Sequence, residues 1–192
     1  MKARILAAAL LIALPTGVAN AQSNSDEETV GVNGTVAGLC ILGPPSRTSV
    51  PLGQLINVSG PRVGRIAAIT DQTVLLPGSF CNFAGTSLTV SADAMLASDT
   101  NAVQTGFARA VNFTSIVTNW VSPDATVTTA AAAGGANPSA EGTGGTQPAP
   151  KIADLTLTLN GFTVPSDLLL VAGDYAGSVT ITLGPAATPQ EN

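Results

Sequence analysis

The chain has 192 residues, with 7 Lys and Arg against 12 Asp and Glu, no His and a formal net charge of −5. A chain this acidic offers no basic patch for nucleic acid phosphates or anionic lipids, so neither is expected as a partner. The absence of His excludes Ser-His-Asp and Cys-His catalysis, and the length suits one ordinary domain with a sizeable core.

Residues 1–21 have the three parts of a secretory signal peptide. Lys2 and Arg4 precede an apolar run at 5–14, which is followed by Ala-Asn-Ala at 19–21. The apolar run is about ten residues long, whereas the core of a bilayer needs about 20. A buried N-terminal helix is the alternative. The pattern favours cleavage after residue 21 and export to the periplasm, the cell surface or the extracellular space.

The segment that would follow cleavage is polar. Residues 22–28 (QSNSDEE) have no large apolar side chain and are predicted to form a disordered lead-in. Loss of Lys2 and Arg4 with the signal peptide would leave five basic and twelve acidic residues, a formal charge of −7. No later stretch approaches about 18 consecutive apolar residues, so no membrane span is expected.

Cys40 and Cys81 are the only cysteines. Two thiols cannot form a four-thiolate zinc site, and in an exported protein an even number of cysteines favours a disulfide. The bridge would close a loop of about 42 residues and stabilise the fold by about 4 kcal/mol in the chain-entropy model. The alternative is a pair of free thiols, neither of which has a His or Lys nearby in the sequence to activate it.

Residues 29–184 are predicted to form a single domain built from short strands. Val30, Val32 and Val36 fall on one parity, which predicts a first strand that runs into the first cysteine. Further strands are predicted, in chain order, over residues 66–76, 86–92, 108–120, 152–164 and 175–183.

Several breaks separate these strands. Pro and Gly at 77–78 are predicted to end the second strand, residues 94–96 to form one helical turn, and Ser115 to mark a bend or bulge. Residues 122–150 are dominated by Ala, Gly, Thr and Pro and are predicted to form a long flexible loop within the domain. Residues 185–192 are left as a short polar tail.

Short strands, frequent turn signals and almost no helical periodicity together predict an all-β fold. The spacing of turn signals, about one every eight to twelve residues, is typical of an antiparallel β-sandwich. The Ala/Gly-rich loop at 122–150 would then be an insertion between two strands of that sandwich.

Motifs at both ends of the domain carry a resemblance to a known group. Gly-Thr-Val at 34–36 precedes Cys40, Leu-Gly at 52–53 follows it, and the chain closes on AGDYAGSVTITL at 172–183. This combination resembles the spore coat protein U and chaperone–usher pilin group of secreted bacterial proteins. The resemblance implies an incomplete immunoglobulin-like fold, often with a disulfide between its first two strands.

The resemblance also implies a mechanism of assembly. Subunits of that group lack one strand, and a donor strand from a periplasmic chaperone, and then from a like subunit, fills the resulting groove. The lead-in at 22–28 has no donor-like pattern. The alternation of Val30, Val32 and Val36 is donor-like, but the same residues are predicted to form the first strand, and they cannot do both.

The sequence offers little for catalysis. Asp93 and Asp99 are the best carboxylate pair for glycoside cleavage, but both lie near predicted turns among small polar residues, where Asp is normally solvated. No calcium-loop motif is present, so no metal or cofactor is expected. Trp120 could stack on a sugar if exposed, but a position in the core is favoured.

We therefore predict a secreted structural or adhesive protein of the cell surface, possessing no enzymatic activity. It would be a pilus or surface-coat subunit assembled by strand donation. The alternative is a self-complete periplasmic or extracellular module that binds carbohydrate or protein. Cys40 and Cys81 are the only site residues assigned, as a disulfide.

Overall fold

A computed structural model describes residues 26–187 of the chain. The predicted signal peptide at 1–21, most of the predicted lead-in and the end of the predicted tail lie outside the described residues. The chain divides into two units, Met1–Val36 and Ala37–Asn192, and the second contains every strand that follows.

The protein is all-β within the described residues, and its only helical element is a 3-10 turn at Pro165–Asp167. Successive side chains of a strand point to opposite faces of a sheet. Alternating apolar and polar residues therefore favour strands, because the apolar residues share the face that is buried. The strands are β1 (Cys40–Ile41), β2 (Gln72–Cys81), β3 (Thr86–Ala97), β4 (Phe107–Ala108), β5 (Ala110–Thr118), β6 (Ala125–Thr128), β7 (Ala140–Thr143), β8 (Lys151–Thr163), β9 (Leu169–Leu170) and β10 (Tyr175–Pro185).

The main sheet is antiparallel throughout and nearly closed on itself. Its order is β1-β2-β8-β5-β3-β10, with β6 added to β5 and β7 added to β3. Only two residue pairs, Met95–Val111 and Leu96–Ala110, join β3 to β5. A separate parallel pair is formed by β4 and β9. The sequence-based prediction of an all-β, antiparallel fold is confirmed.

The core lies on the inner face of this sheet. Trp120, Leu155 and Val117 are among its largest fully buried side chains. The rings of Phe113 and Phe162 stack with their centroids 5.8 Å apart and join the main cluster to a smaller one around β4 and β9. Burial of such side chains stabilises a fold by about 1.5–3 kcal/mol each relative to exposure.

The predicted disulfide is present. Cys40 and Cys81 face each other in the register of β1 and β2 and are bonded. The bridge therefore fixes the short first strand to the end of β2, and neither thiol is free.

The predicted first strand is largely absent, which corrects one expectation. Only Cys40–Ile41 pairs as a strand, whereas Val30, Val32 and Val36 are 84%, 92% and 89% exposed and have no regular structure. The alternation is real, but among the described residues none of these valines belongs to a paired strand. Periodicity alone does not supply a partner strand.

The predicted flexible loop at 122–150 is also corrected. It contains β6, which pairs with β5, and β7, which pairs with β3. The small residues of this stretch predict a loop when the sequence is read alone. In the structure, the same residues allow the backbones of β6 and β7 to pack closely. A Cβ at Gly142 would lie 1.9 Å from the carbonyl oxygen of Thr126, so only glycine allows this approach.

Three smaller expectations differ at the level of boundaries. β2 begins at Gln72 and continues through Pro77 and Gly78, because a register shift between Leu76 and Ser79 takes up the break. The stretch at 94–96 continues β3 and is not helical. The irregularity in β5 lies between residues 112 and 114, slightly before Ser115.

Candidate functional site

One side of the nearly closed sheet is sealed. We call it the closed seam, and it consists of β6, β7 and the residues directly next to them in the chain. The backbones of Gly142 and Thr126 are in direct contact, and the amide of Gly145 donates to the carbonyl of Pro123 at 2.8 Å. The amide of Gly144 also donates to the carbonyl of Leu88, at 2.9 Å. These contacts bring the β5 side and the β3 side of the sheet together.

The opposite side is open along β10. Among the described residues, β10 pairs only with β3, so its second edge presents unpaired backbone groups. Residues 42–52 run along the other side of this gap. They contain Pro44, Pro45 and Pro51, which cannot donate the hydrogen bonds of a strand ladder.

Residues 42–52 are held to β2. The amide of Gly43 donates to the hydroxyl of Ser79 at 2.9 Å, and the amide of Ser46 donates to the carbonyl of Leu75 at 2.7 Å. The guanidinium of Arg47 donates to the carbonyl of Thr73 at 2.6 Å. The segment therefore covers the edge of β2, and nothing in it pairs with β10.

Between these two borders lies an apolar cavity of about 600 Å³, which we call the groove. Its floor is the inner face of β2 and β8, and Arg47 is its only charged lining residue. Such a cavity is large enough for a ligand or a short extended segment. Its apolar lining residues include Leu42, Val50, Leu52, Val74, Leu76, Met95, Phe113, Leu157, Leu159, Phe162, Val179 and Ile181.

The burial of paired strands shows where the core is incomplete. Leu88 and Val90 on β3 are 2% and 0% exposed. Their register partners on β10, Leu183 and Ile181, are only half-buried although they point to the same face. The core is therefore filled beneath β3 and unfilled beneath β10, where a further layer of apolar side chains would fit.

The start of β10 is anchored by the turn that the sequence singled out at 172–175. The hydroxyl of Tyr175 donates to the carbonyl of Val171 at 2.9 Å, and burial raises the pKa of Tyr175 above its ordinary value. Tyr175 also lines the groove. This turn therefore fixes the position of the open edge rather than contributing reactive chemistry.

The two candidate carboxylates have separate structural roles. Asp93 accepts a hydrogen bond from the hydroxyl of Ser178 at 3.0 Å, at the exposed side of β3 and β10. Asp99 accepts from the amide of Asn101 at 2.9 Å, and this bond lowers the pKa of Asp99. Neither carboxylate lines the groove, and each is held by a different partner.

Trp120 is buried, which confirms its predicted place in the core. It is 1% exposed, and the ammonium of Lys151 lies 5.6 Å from the centre of its ring while donating to its carbonyl. A buried ring cannot stack on a sugar. The aromatic side chain that the sequence suggested for carbohydrate binding is therefore unavailable.

Residues 26–187 contain no group of three or more Cys, Asp and Glu placed to hold a metal ion. Within the same range no helix is long and apolar enough to cross a membrane.

Sequence reasoning identified β10 but missed the opposite border of the groove. Residues 42–52 give only a Pro-rich, weakly apolar signal, which predicts a loop without indicating what it lies beside. The three prolines were the usable signal, since each removes a backbone donor that a paired strand would use.

Comparisons with protein-family models, with curated proteins and with solved structures each found no match for this chain. The groove along β10 is therefore the feature that a functional proposal has to explain.

Proposed function

We propose that the protein is an exported structural subunit of a cell-surface assembly, with a pilin-like, immunoglobulin-like sandwich that lacks one strand. The observation that supports this most strongly is the groove, where a free strand edge and half-buried apolar side chains occur together along β10. An edge strand of this kind is a template for pairing with another chain.

The groove suits an added strand better than a compact ligand. A donated backbone would pair with the free edge of β10, and its alternate side chains would enter the apolar cavity. Val179 and Ile181 on β10 already point into that cavity. An added strand would complete both the hydrogen bonds of the edge and the core below it.

The donor with the right chemistry is the segment at residues 29–36 of a like subunit. Its three valines alternate and are exposed, and none of its residues belongs to a strand. Because the structure leaves this segment outside the first strand, the two roles that conflicted in the sequence no longer compete. The acidic run at 26–28 precedes the donor, and the only charged residue of the groove is Arg47, so the charges are complementary.

Export is the second part of the proposal. The disulfide and the absence of a membrane-spanning helix among residues 26–187 are compatible with an exported protein. Before assembly, a periplasmic chaperone would occupy the groove, and a like subunit would replace it. The protein would have no enzymatic activity.

The test is size-exclusion chromatography with intact mass measurement on the protein expressed alone in an oxidising compartment. We expect self-association or degradation, and recovery of a stable species when a synthetic peptide of residues 27–38 is supplied. The control is the same peptide with Ser in place of Val30, Val32 and Val36, which should not rescue. A stable monomer indifferent to both peptides would contradict the proposal and favour a self-complete module that binds carbohydrate or protein.

A further inference from the structure

Arg109 is a buried cation outside the groove. It lies between β4 and β5 and is buried, with 9% of its surface exposed. Its backbone amide donates to the carbonyl of Ala133 at 2.9 Å. A Cβ at Gly135 would lie 2.9 Å from Arg109 Cδ, so the turn at 132–136 packs directly on the arginine stem. The position of the side chain is thus set by its surroundings.

The described residues satisfy the buried guanidinium of Arg109 only in part. Its Nη2 donates to the carbonyl of Ala97 at 3.0 Å, whereas its Nε has no partner. No carboxylate between residues 26 and 187 forms a salt bridge with it, although the charge of Arg109 helps to lower the pKa of Asp99, which lines the same cavity. Guanidinium stays charged at any ordinary pH and offers five donors. Burying such a group with one donor unpaired and no direct ion pair is unfavourable, so a bound anion that reaches the guanidinium is physically favoured.

Arg109 lines a cavity of about 310 Å³ that is separate from the groove. That volume is at the small end for ligand sites, which suits a ligand of about one sugar ring. Asn101 and Gln104 are among its polar lining residues, and Phe107, which is 40% exposed, is among its apolar ones.

We propose that this cavity binds a sugar acid, with the carboxylate of the ligand on Arg109. The amides of Asn101 and Gln104 would bond the hydroxyls, and the apolar face of the sugar ring would pack on Phe107. A simple anion would use only the arginine, and a neutral sugar would supply no charge to pair with it. A sugar acid satisfies both halves of the site. The inference does not depend on strand addition at the groove.

Asp99 also lines the cavity, and its place there is consistent with this ligand. The carboxylate of Asp99 is exposed and accepts from the amide of Asn101, whereas Arg109 is buried. The negative group is therefore at the rim and the positive group at depth. A ligand with a carboxylate at one end and hydroxyls at the other matches that order, because the hydroxyls can donate to Asp99.

The test is a titration of the purified, disulfide-bonded protein with sodium glucuronate, followed by calorimetry and by the NMR signal of the Arg109 Nε–H. Glucose and sodium acetate are the matched probes. We expect glucuronate to shift the Nε–H signal saturably and to bind at least about tenfold more tightly than either probe. Digalacturonate then assigns the source: equal or tighter binding indicates an acidic glycan, and weaker binding a free sugar acid.

Three variants complete the test. Arg109→Met should weaken glucuronate binding at least about tenfold, and Phe107→Ala at least about threefold. Leu75→Ala, which truncates an exposed apolar side chain on β2, should leave binding unchanged. If Arg109→Met does not fold, the shift of the Arg109 Nε–H signal and the affinity of Phe107→Ala decide whether the cavity binds glucuronate. An unmoved Nε–H signal, equal affinity for acetate or glucose, or unchanged binding in Phe107→Ala would overturn the proposal.

Discussion

The closed seam and the groove are two sides of the same sheet that end differently. At the closed seam, β6 and β7 come from a stretch of small residues, and their backbones touch at Gly142 and Thr126. At the groove, residues 42–52 stand opposite β10 without pairing to it. Both sides carry apolar inner faces, so hydrophobicity does not distinguish them. The two sides differ in whether a neighbouring backbone is able to pair with the edge.

This difference explains why, within the described residues, one side of the sheet is sealed and the side along β10 is open. Glycines at the closed seam allow two backbones to come into contact. Prolines at the groove lack the backbone donors that pairing with β10 would use. An added strand at the groove would supply there what β6 and β7 supply on the other side. The following changes are ordered from the largest expected effect to the smallest, and each alters one side of this comparison.

Removing the disulfide should have the largest effect on stability. Replacing both Cys40 and Cys81 with Ala frees β1 and the chain that leads into residues 42–52. We expect a loss of about 4 kcal/mol in the free energy of unfolding, because the unfolded chain regains the entropy of a loop of about 42 residues. Urea denaturation of both proteins measures it. A loss below about 1 kcal/mol would show that the groove border does not depend on the bridge.

Leu88 on β3 and Leu183 on β10 face each other in the register of the two strands, so truncating each in turn compares the filled core with the core beneath β10. Leu88→Ala empties a site in the filled core and should cost about 3 kcal/mol, whereas Leu183→Ala removes its half-buried partner on β10 and should cost about 1 kcal/mol. The two variants control for each other, since the deleted atoms are the same. Equal losses in denaturation experiments would mean that the core beneath β10 is already complete.

Adding a single methyl group tests the closed seam. Gly142→Ala would place a Cβ against the carbonyl of Thr126 and should cost about 2 kcal/mol, because β6 and β7 must separate. The matched control is Gly184→Ala on β10, where nothing lies within 4 Å of the added atom. Thermal denaturation of the two variants should separate them clearly. Similar midpoints would argue against tight contact at the seam.

The smallest effect is expected at an ion pair away from both sides. Arg62 donates to both carboxylate oxygens of Asp167, at 2.8 and 3.2 Å, and Arg65 lies 3.2 Å from one of them. The hydrogen bond from Arg62 lowers the pKa of Asp167. The stabilisation from this ion pair is therefore present at pH values above about 3.9, the pKa of Asp in an unfolded chain. It is lost as the pH falls through the lower pKa of Asp167 in the folded protein.

Asp167→Asn should abolish that acid-dependent component and leave binding of the 27–38 peptide unchanged. Denaturation midpoints measured from pH 6 to pH 2 check the first part. If wild type and variant lose stability in parallel throughout this range, the ion pair does not contribute as described.

The sequence predicted the all-β class, the disulfide and most of the later strands, because alternation at positions such as 155, 157 and 159 is a local property. It did not predict the strands at Ala125–Thr128 and Ala140–Thr143. Their pairing depends on a close approach between backbones that are far apart in the sequence. Small residues permit this approach, but their presence does not predict it. The resemblance implied a groove, but the border formed by residues 42–52 could not be predicted for the same reason, since it depends on how this segment lies relative to β10.

Hydrogen exchange at the backbone amides of β10 tests the central claim most directly. The protein is measured alone and then with the peptide of residues 27–38 or its Ser-substituted control. We predict that β10 amides without a partner on β3 exchange rapidly in the free protein and become protected only with the unaltered peptide. Protection of the whole of β10 in the free monomer, unchanged by either peptide, would contradict the account.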